Sequence, residues 1–361
     1  MEKILFYINS IHYGGAERVM TNLANMFSAE GYEVILVTSF FDKNEYSLNN
    51  KIKRLSLENK NYKQFFIRKN ISRTYKLRKI CKSERPDIVV SFMAEPNFRA
   101  ILATRFLGIR TLISVRNDPN KEYSSIIYKL LAKLLYPLAS GCVFQTEEAK
   151  KWFPAIVQRR SKIILNHVDE KFYEINYVGK RKNIVSVGRL EAQKNHKLLI
   201  EAFAKIADDF PTENLIIYGE GSEKQMLQDL TKNLGIKDRV FFMGLSDNIQ
   251  EDIKDAKLFI LASNYEGLPN VIMEAMTLGI PVISTDCPCG GPRQLIDNNV
   301  NGILVSVGNI EEMSNAMRNV LNCPSFAEYL GTNAKLSSIE FEPYKVFKVW
   351  EKYIQSIVHQ T

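Results

Sequence analysis

Short apolar runs alternate with segments of helical periodicity from one end of this 361-residue chain to the other, and that alternation leaves few folds open. A strand covered by helices on both faces has no polar side to show, so it reads as a continuous apolar run. Such runs fall at 4–8, 33–38, 88–91, 111–115, 141–144 and 162–165, and a second series at 184–187, 214–218, 240–243, 258–262, 282–284 and 302–305. Helical periods lie between them, as at 17–28 and 196–207. Two series imply two doubly wound α/β domains with parallel sheets. The polar segment 166–183 breaks both periods and marks the switch, so the expected division is 1–167, 168–340 and a terminal helix over 341–361 that packs Trp350 and Tyr353.

Apolar residues make up 45% and charged ones 24%, which suits a globular enzyme and argues against disorder. The chain has no stretch of about 18 apolar residues, and MEKILFYINS reads as a strand without a cationic leader, so a cytoplasmic protein is expected. Five cysteines without a framework of spacings fit a reducing compartment, with Cys287 and Cys289 as plain loop thiols. His12, His167, His196 and His359 form no pair at ligand spacing, and no metal site is expected. The net charge of +8 is unevenly spread: residues 1–170 hold 28 Lys and Arg against 16 Asp and Glu, or +12, which leaves −4 for the rest. Between Lys51 and Arg85 stand 13 basic residues and two acidic ones, Glu58 and Glu84, interleaved with Phe65, Phe66, Ile67, Ile71, Tyr75 and Leu77. That mixture suits an anionic membrane surface; the other reading is a solvated basic helix face. With no nucleic-acid module signature beside the charge, nucleic acid is not an expected partner.

The motifs all fall where strands of a parallel sheet would end, which is where open sheets of this kind bind ligands. In NYEGLPNVIMEAMTLGIPVISTD, Pro269 suits the first helical position because it lacks an NH that would go unpaired there. The helix then covers 270–278 and stops at Gly279 and Pro281. Glu266 lies just before its mouth and Glu274 about one turn inside. Free NH groups and the positive dipole end draw anions, so Gly267, Leu268, Pro269 and Asn270 frame a place for a phosphate between two acids. VGRLEAQKNH sets Gly188, Arg189 and Lys194 ahead of a helix capped by Asn195. A guanidinium fork and a compact ammonium there can clamp a diphosphate without a metal ion, and the chain has no DxD triplet to chelate one; surface salt bridging is the plainer reading. YGEGSEK adds Gly219 and Gly221, whose missing side chains make room at the same rim. Gly244 and Leu245 are placed either to offer main-chain groups to a flat base or simply to turn the chain. After the first strand, NSIHYGGAERVM carries Gly14 and Gly15 before a helix beginning near Glu17; it is not GxGxxG, so a nicotinamide site fails, and a connection without a ligand is the alternative.

With GGAER, GRLEAQKNH, YGEGSE and EGLPNVIMEAM in this order, the chain resembles the retaining glycosyltransferases of family 4, along nearly all its length. The resemblance implies the GT-B architecture, two Rossmann-like domains with a deep cleft between them and a terminal helix crossing back to the first. It implies that the second domain binds a nucleotide-diphosphate sugar, with Arg189 and Lys194 on the diphosphate, Glu274 on the ribose hydroxyls and Glu266 facing the donor sugar. Gly15 would approach the donor from the acceptor domain. Gly14, Glu17 and Arg18 are acceptor-side candidates, joined by Arg116, Asn117 and Asp118 where many relatives carry a histidine. Transfer would keep the anomeric configuration through an oxocarbenium-like state, with no metal or cofactor. STDCPCGGPRQLI resembles the matching loop of bacterial transferases that extend capsule, O-antigen or lipid-linked oligosaccharides, often with acetylated hexosamines such as N-acetylgalactosamine. The implied donor is a UDP-sugar, the implied acceptor a glycan on polyprenyl diphosphate, and the implied location the inner face of the cell membrane. An epimerase or synthase on the same scaffold, or a non-catalytic sugar-nucleotide binder, is the competing reading.

Overall fold

The computed structural model describes residues 2–12, 14–42, 45–58 and 66–359, the side chains of residues 66 and 67 excepted. The chain divides into two compact units, Met1–Asn166 with Tyr344–Thr361, and His167–Pro343. The first holds strands β1 (Lys3–Ile8), β2 (Glu33–Thr38), β3 (Lys53–Ser56), β4 (Ile88–Phe92), β5 (Arg110–Ser114), β6 (Gly141–Phe144) and β7 (Ser161–Ile163). The second holds β8 (Lys182–Val187), β9 (Leu215–Tyr218), β10 (Val240–Gly244), β11 (Ala256–Leu261), β12 (Val282–Thr285) and β13 (Ile303–Val305). The longer helices are α1 (Gly15–Ala29), α2 (Phe66–Glu84), α3 (Ala94–Thr104), α4 (Ile126–Leu135), α5 (His196–Ala204), α6 (Asn270–Thr277) and α7 (Pro343–Val358), with others in the second unit and shorter turns between them.

Among the described residues the first unit carries a seven-stranded sheet in the order β3-β2-β1-β4-β5-β6-β7 and the second a six-stranded sheet in the order β10-β9-β8-β11-β12-β13. Both sheets are parallel throughout, as at β1 on β2 (Ile4 opposite Val34) and β8 on β9 (Ile184 opposite Leu215). The strand order reverses between β1 and β4 in one sheet and between β8 and β11 in the other, so each sheet has a crevice at its strand ends there. Two Rossmann-like domains are thus present. One strand escapes the sequence reading: β3 is an edge strand whose residues are exposed or half-buried, so KRLS shows no apolar run. It lies inside the basic segment and pairs in parallel with β2.

The terminal helix belongs to the first unit. Val346, Phe347, Trp350, Ile354 and Ile357 are buried with Phe6, Phe27 and Phe92 in one core; Phe347 meets the Phe27 ring edge-on at 4.8 Å, and Trp350 lies 5.8 Å from Phe92. In the basic segment, residues 59–65, Phe65 among them, lie outside the described residues, as do the side chains of Phe66 and Ile67. The rest is less of a cationic sheet than its composition suggests. Arg73 is buried on Glu58 at 2.6 Å, Arg54 pairs with Glu45 at 2.7 Å, and Lys53 pairs with Glu84 at 2.8 Å. Arg78 donates to the carbonyls of Ala103 and Arg105. Arg68, Lys76, Lys79 and Lys82 remain exposed along α2.

Trp350→Ala removes a side chain that is 1% exposed and should cost about 3–5 kcal/mol. Denaturant unfolding followed by a first-domain probe checks this, and a loss below about 1 kcal/mol would show that the helix is peripheral to the core.

Candidate functional site

The second sheet puts its site at the β8/β11 crevice. Residues 188–195 leave β8 and residues 262–269 leave β11, and backbone and side-chain bonds lace these loops together. Asn264 N donates to Gln193 O at 2.8 Å, Gln193 Nε2 to Tyr265 O at 3.1 Å, and Asn264 Nδ2 to Ala192 O at 2.8 Å. The loop after β12 is tied in as well: Glu266 N donates to Pro288 O at 2.7 Å and Cys289 N to Glu266 O at 3.0 Å. Glu266 therefore sits on backbone fixed from both sides.

Its carboxylate is the centre of the site. One oxygen, Oε1, accepts from Lys194 Nζ at 2.5 Å and from Ser263 Oγ at 2.6 Å, and both charged side chains are largely buried. A buried carboxylate persists as an ion only with such partners. Burial and the Glu266 charge push the neighbouring Cys287 thiol up to about 12; it is an inert group. The structure joins Lys194 to Glu266 but sends Arg189 elsewhere: its guanidinium is exposed, 3.0 Å from Glu191 Oε2 and 3.1 Å from Gln193 Oε1. Glu274 is buried in the second turn of α6. Pro269 is the N-cap of that helix, one position outside the expected place, and contributes no side-chain cap, so the mouth at Leu268, Pro269 and Asn270 is formed by backbone. Ser263 escaped the sequence reading; its signal is only its place three residues before Glu266.

The glycines of this rim are packed against the chain's own backbone. Gly219 has φ +140°, and a Cβ there would run into the Gly188 carbonyl; one at Gly221 would meet the carbonyl of Leu190. The room they make is filled by the chain's own Arg189 loop, held by Gly188 N to Tyr218 O at 2.9 Å and Leu190 N to Glu220 O at 3.0 Å. Gly244, at φ +77°, turns the chain, and its carbonyl accepts from Gly219 N at 2.7 Å; Leu245 is exposed. Gly267 is packed so closely that a Cβ on Gly291 would strike its carbonyl.

His196, at the start of α5 behind the Lys194 loop, is a second residue that sequence reasoning left unused. Asn195 caps that helix, its Oδ1 accepting from Leu198 N at 3.3 Å. The imidazole is 2% exposed, and neither ring nitrogen makes an aligned hydrogen bond. Burial drives its pKa down to about 4, with Lys194 adding to the shift and the backbone of Gly188 and Arg189 opposing it. It is neutral at physiological pH.

In the first unit, Gly14 is the N-cap of α1, Gly15 opens the helix and Glu17 lies in its first turn, its carboxyl raised by burial. Arg18 N donates to Gly14 O at 3.0 Å. Asp118 is the N-cap of the turn Pro119–Glu122, accepting from Asn120 N at 2.9 Å, and Asn117 accepts from Asp118 N at 2.9 Å, so both shape the loop. Arg116 is buried 3.8 Å from the Phe92 ring centre and 5.4 Å from that of Trp350, with Nη1 on Asn166 Oδ1 at 2.7 Å. Burial lowers it to about 9.

A lysine-bearing loop closed on a buried carboxylate at the switch point of a parallel sheet is the arrangement on the page, and comparison with known proteins gives its family. Residues 13–172 match the profile described as Glycosyltransferase Family 4 and residues 168–337 that of Glycosyl transferases group 1. The chain belongs to the family 4 glycosyltransferases of GT-B fold and is a glycosyltransferase. It is 29% identical over 364 residues, 99% of each chain, to the GalNAc-alpha-(1->4)-GalNAc-alpha-(1->3)-diNAcBac-PP-undecaprenol alpha-1,4-N-acetyl-D-galactosaminyltransferase of Campylobacter jejuni. It is 28% identical over 324 residues to the lipopolysaccharide 1,6-galactosyltransferase of Salmonella typhimurium, covering 86% of this chain and 87% of the relative. Among solved structures, HepE of Anabaena in complex with UDP superposes with a TM-score of 0.82 at 18% identity, over 99% of this chain and 100% of HepE. Sucrose-phosphate synthase of Thermosynechococcus elongatus gives 0.83 at 16%, over the whole of both chains; these likenesses concern the fold.

The buried imidazole has a pH signature. Its folded pKa lies below the unfolded value of about 6.5, so its contribution is complete above pH 6.5 and is lost as pH falls toward 4. The stability of wild type relative to His196→Gln should drop by about 2 kcal/mol between pH 7 and pH 5. Parallel urea titrations of both proteins would measure it, and a constant difference would mean that the ring protonates freely in the native state.

Proposed function

We propose that this enzyme moves a hexose or N-acetylhexosamine, with retention and without a metal, from a UDP-sugar to a glycan carried on polyprenyl diphosphate. The observation that carries the reading is the Lys194–Glu266 pair beside the backbone mouth of α6. It is supported by relatives named for undecaprenyl-linked acceptors and by a HepE structure containing UDP. Before donor binds, the ammonium is held on the carboxylate; a diphosphate arriving at the mouth shares that ammonium and recruits the exposed Arg189 fork. As the anomeric C–O bond breaks, charge grows on the departing phosphate oxygen, and fixed donors stabilise it better than water because they need no reorganisation. The acceptor hydroxyl attacks on the face the diphosphate leaves, and its proton passes to the leaving phosphate oxygen. Glu266, pinned by Ser263, orients the sugar and is not a nucleophile. Glu274 holds the ribose. No cofactor takes part.

The acceptor is assigned to the first domain, where the positive charge lies, and the enzyme to the inner face of the cell membrane. Among the described residues no helix is long and apolar enough to cross a membrane, and contact through exposed cations between Lys51 and Arg85 supplies the electrostatic attraction.

Three measurements test this. Glu266→Gln should lower transfer at least about 100-fold while the protein stays folded; unchanged turnover removes the assignment of that acid. Arg189→Ala should weaken UDP binding by calorimetry and lower kcat/KM about 10-fold to 100-fold together. Hydrolysis of a UDP-sugar panel, which needs no acceptor, should continue in excess EDTA, and its abolition would make a divalent cation part of the site.

A further inference from the structure

The edge strand β13 is flanked by two open grooves, of about 600 Å³ and about 710 Å³, that share Asn298, Leu304, Val305 and Glu312. Of the twelve residues lining the smaller groove five are asparagines: Asn298 and Asn299 ahead of β13, and Asn315, Asn319 and Asn322 on the helix Ile310–Asn322. At 100° per residue the last three fall within about 60° of the helix surface, in one stripe. Asparagine is a poor helix former because its side chain competes for backbone groups, so helix stability does not account for three of them on one face. All five are exposed, and the amides of Asn299, Asn319 and Asn322 make no hydrogen bond among the described residues.

The chemistry of that lining selects its ligand. Each amide has two donors and an acceptor, and the hydroxyls of a sugar likewise both give and accept. Leu304, Ala316 and the half-buried Phe326 offer apolar contact to the C–H faces of a ring. Free charge is missing. Glu312, the one charged residue of the smaller groove, is spent on Ser306 N and Asn309 Nδ2, both at 2.7 Å. Arg318, the one charge between Met313 and Cys323, is turned to Asp209 at 3.0 Å and to the Lys205 carbonyl at 2.7 Å. In the larger groove Arg293 is closed on Asp286 at 2.6 Å, and Gln294 adds another amide. A phosphate or a polyanion therefore finds no free cation in the asparagine groove. A peptide strand cannot extend the sheet either, because Leu304 N already donates to Asn298 Oδ1 at 2.9 Å and Ser306 N to Glu312.

We propose that the asparagine groove beside β13 is a binding site for a neutral oligosaccharide, separate from the Lys194–Glu266 site. Asn319 and Asn322 bind ring hydroxyls, and Leu304 and Phe326 take the apolar faces of the sugars. A chain that adds sugars to a glycan meets such oligosaccharides in its own substrate and product, and the groove gives it a second hold on them. The inference goes beyond the proposed reaction and does not require the assigned donor or acceptor.

Cys323 lines the groove and is the exposed one of the five cysteines, so its labelling reports occupancy. The hydrogen bond with Ser325 lowers its pKa from the usual thiol value, which favours reaction. Iodoacetamide labelling of the full-length chain is followed by mass spectrometry with maltotriose, triacetylchitotriose or an α-1,4-linked N-acetylgalactosamine trisaccharide at about 10 mM, roughly ten times a millimolar Kd. At least one of these should slow labelling of Cys323 about fivefold or more, and trigalacturonic acid should not. Protection should vanish in Asn319→Ala with Asn322→Ala, with thermal unfolding no lower than wild type because alanine is the better helix former. Labelling unchanged by all three neutral sugars would overturn the proposal on the unaltered protein alone. Equal protection by the charged trisaccharide, or protection that survives both substitutions in a folded variant, would overturn it as well.

Discussion

The contact between the Lys194 ammonium and the Glu266 carboxylate is the constraint around which the second domain is arranged. Two opposite charges so close in a largely dry place interact far more strongly than in water, and each would be costly to leave alone. Keeping them together requires two chain segments that are 72 residues apart to be fixed to within a few tenths of an ångström. The fold does this by ending β8 and β11 side by side and cross-bonding the loops that follow. Under the proposed function, a diphosphate entering there would meet a cation already desolvated and already aimed, the condition under which electrostatic catalysis works best.

Much of this was legible in the chain. Strands buried on both faces advertise themselves as apolar runs, and the expected strands of both sheets appear. The acid before α6, the lysine ahead of α5 and the Asn195 cap follow from local rules. What was not legible depends on partners from elsewhere. β3 has no apolar run because it is an edge strand. Ser263 and His196 are ordinary residues until β11 and the Lys194 loop are in place. Arg116 reads as a possible ligand contact, and its neighbours Phe92, Trp350 and Asn166 come from three distant parts of the sequence that no local pattern joins.

Charge is the clearest case of what composition hides. The basic half of the chain counts as one block in sequence, yet Arg54, Arg73 and Arg78 are consumed by carboxylates and carbonyls that stabilise the first domain. The amphipathic pattern of IIYKLLAKLL likewise predicts a helix without saying which side faces in. Tyr128 and Ala132 settle that by finding partners on α3, and the larger aliphatic side is left out. Local pattern sets the element; packing elsewhere sets its orientation.

The close fit of Gly219 and Gly221 against the 188–190 backbone changes what a mutational scan of this rim would mean. Alanine at either position would displace the Arg189 loop and depress sugar transfer, and a survey of activity alone would score both glycines as ligand contacts. They are spacers. In this chain the pair therefore reports on the route of the 188–190 loop, and a loss of activity on substituting either glycine is no sign of contact with the sugar.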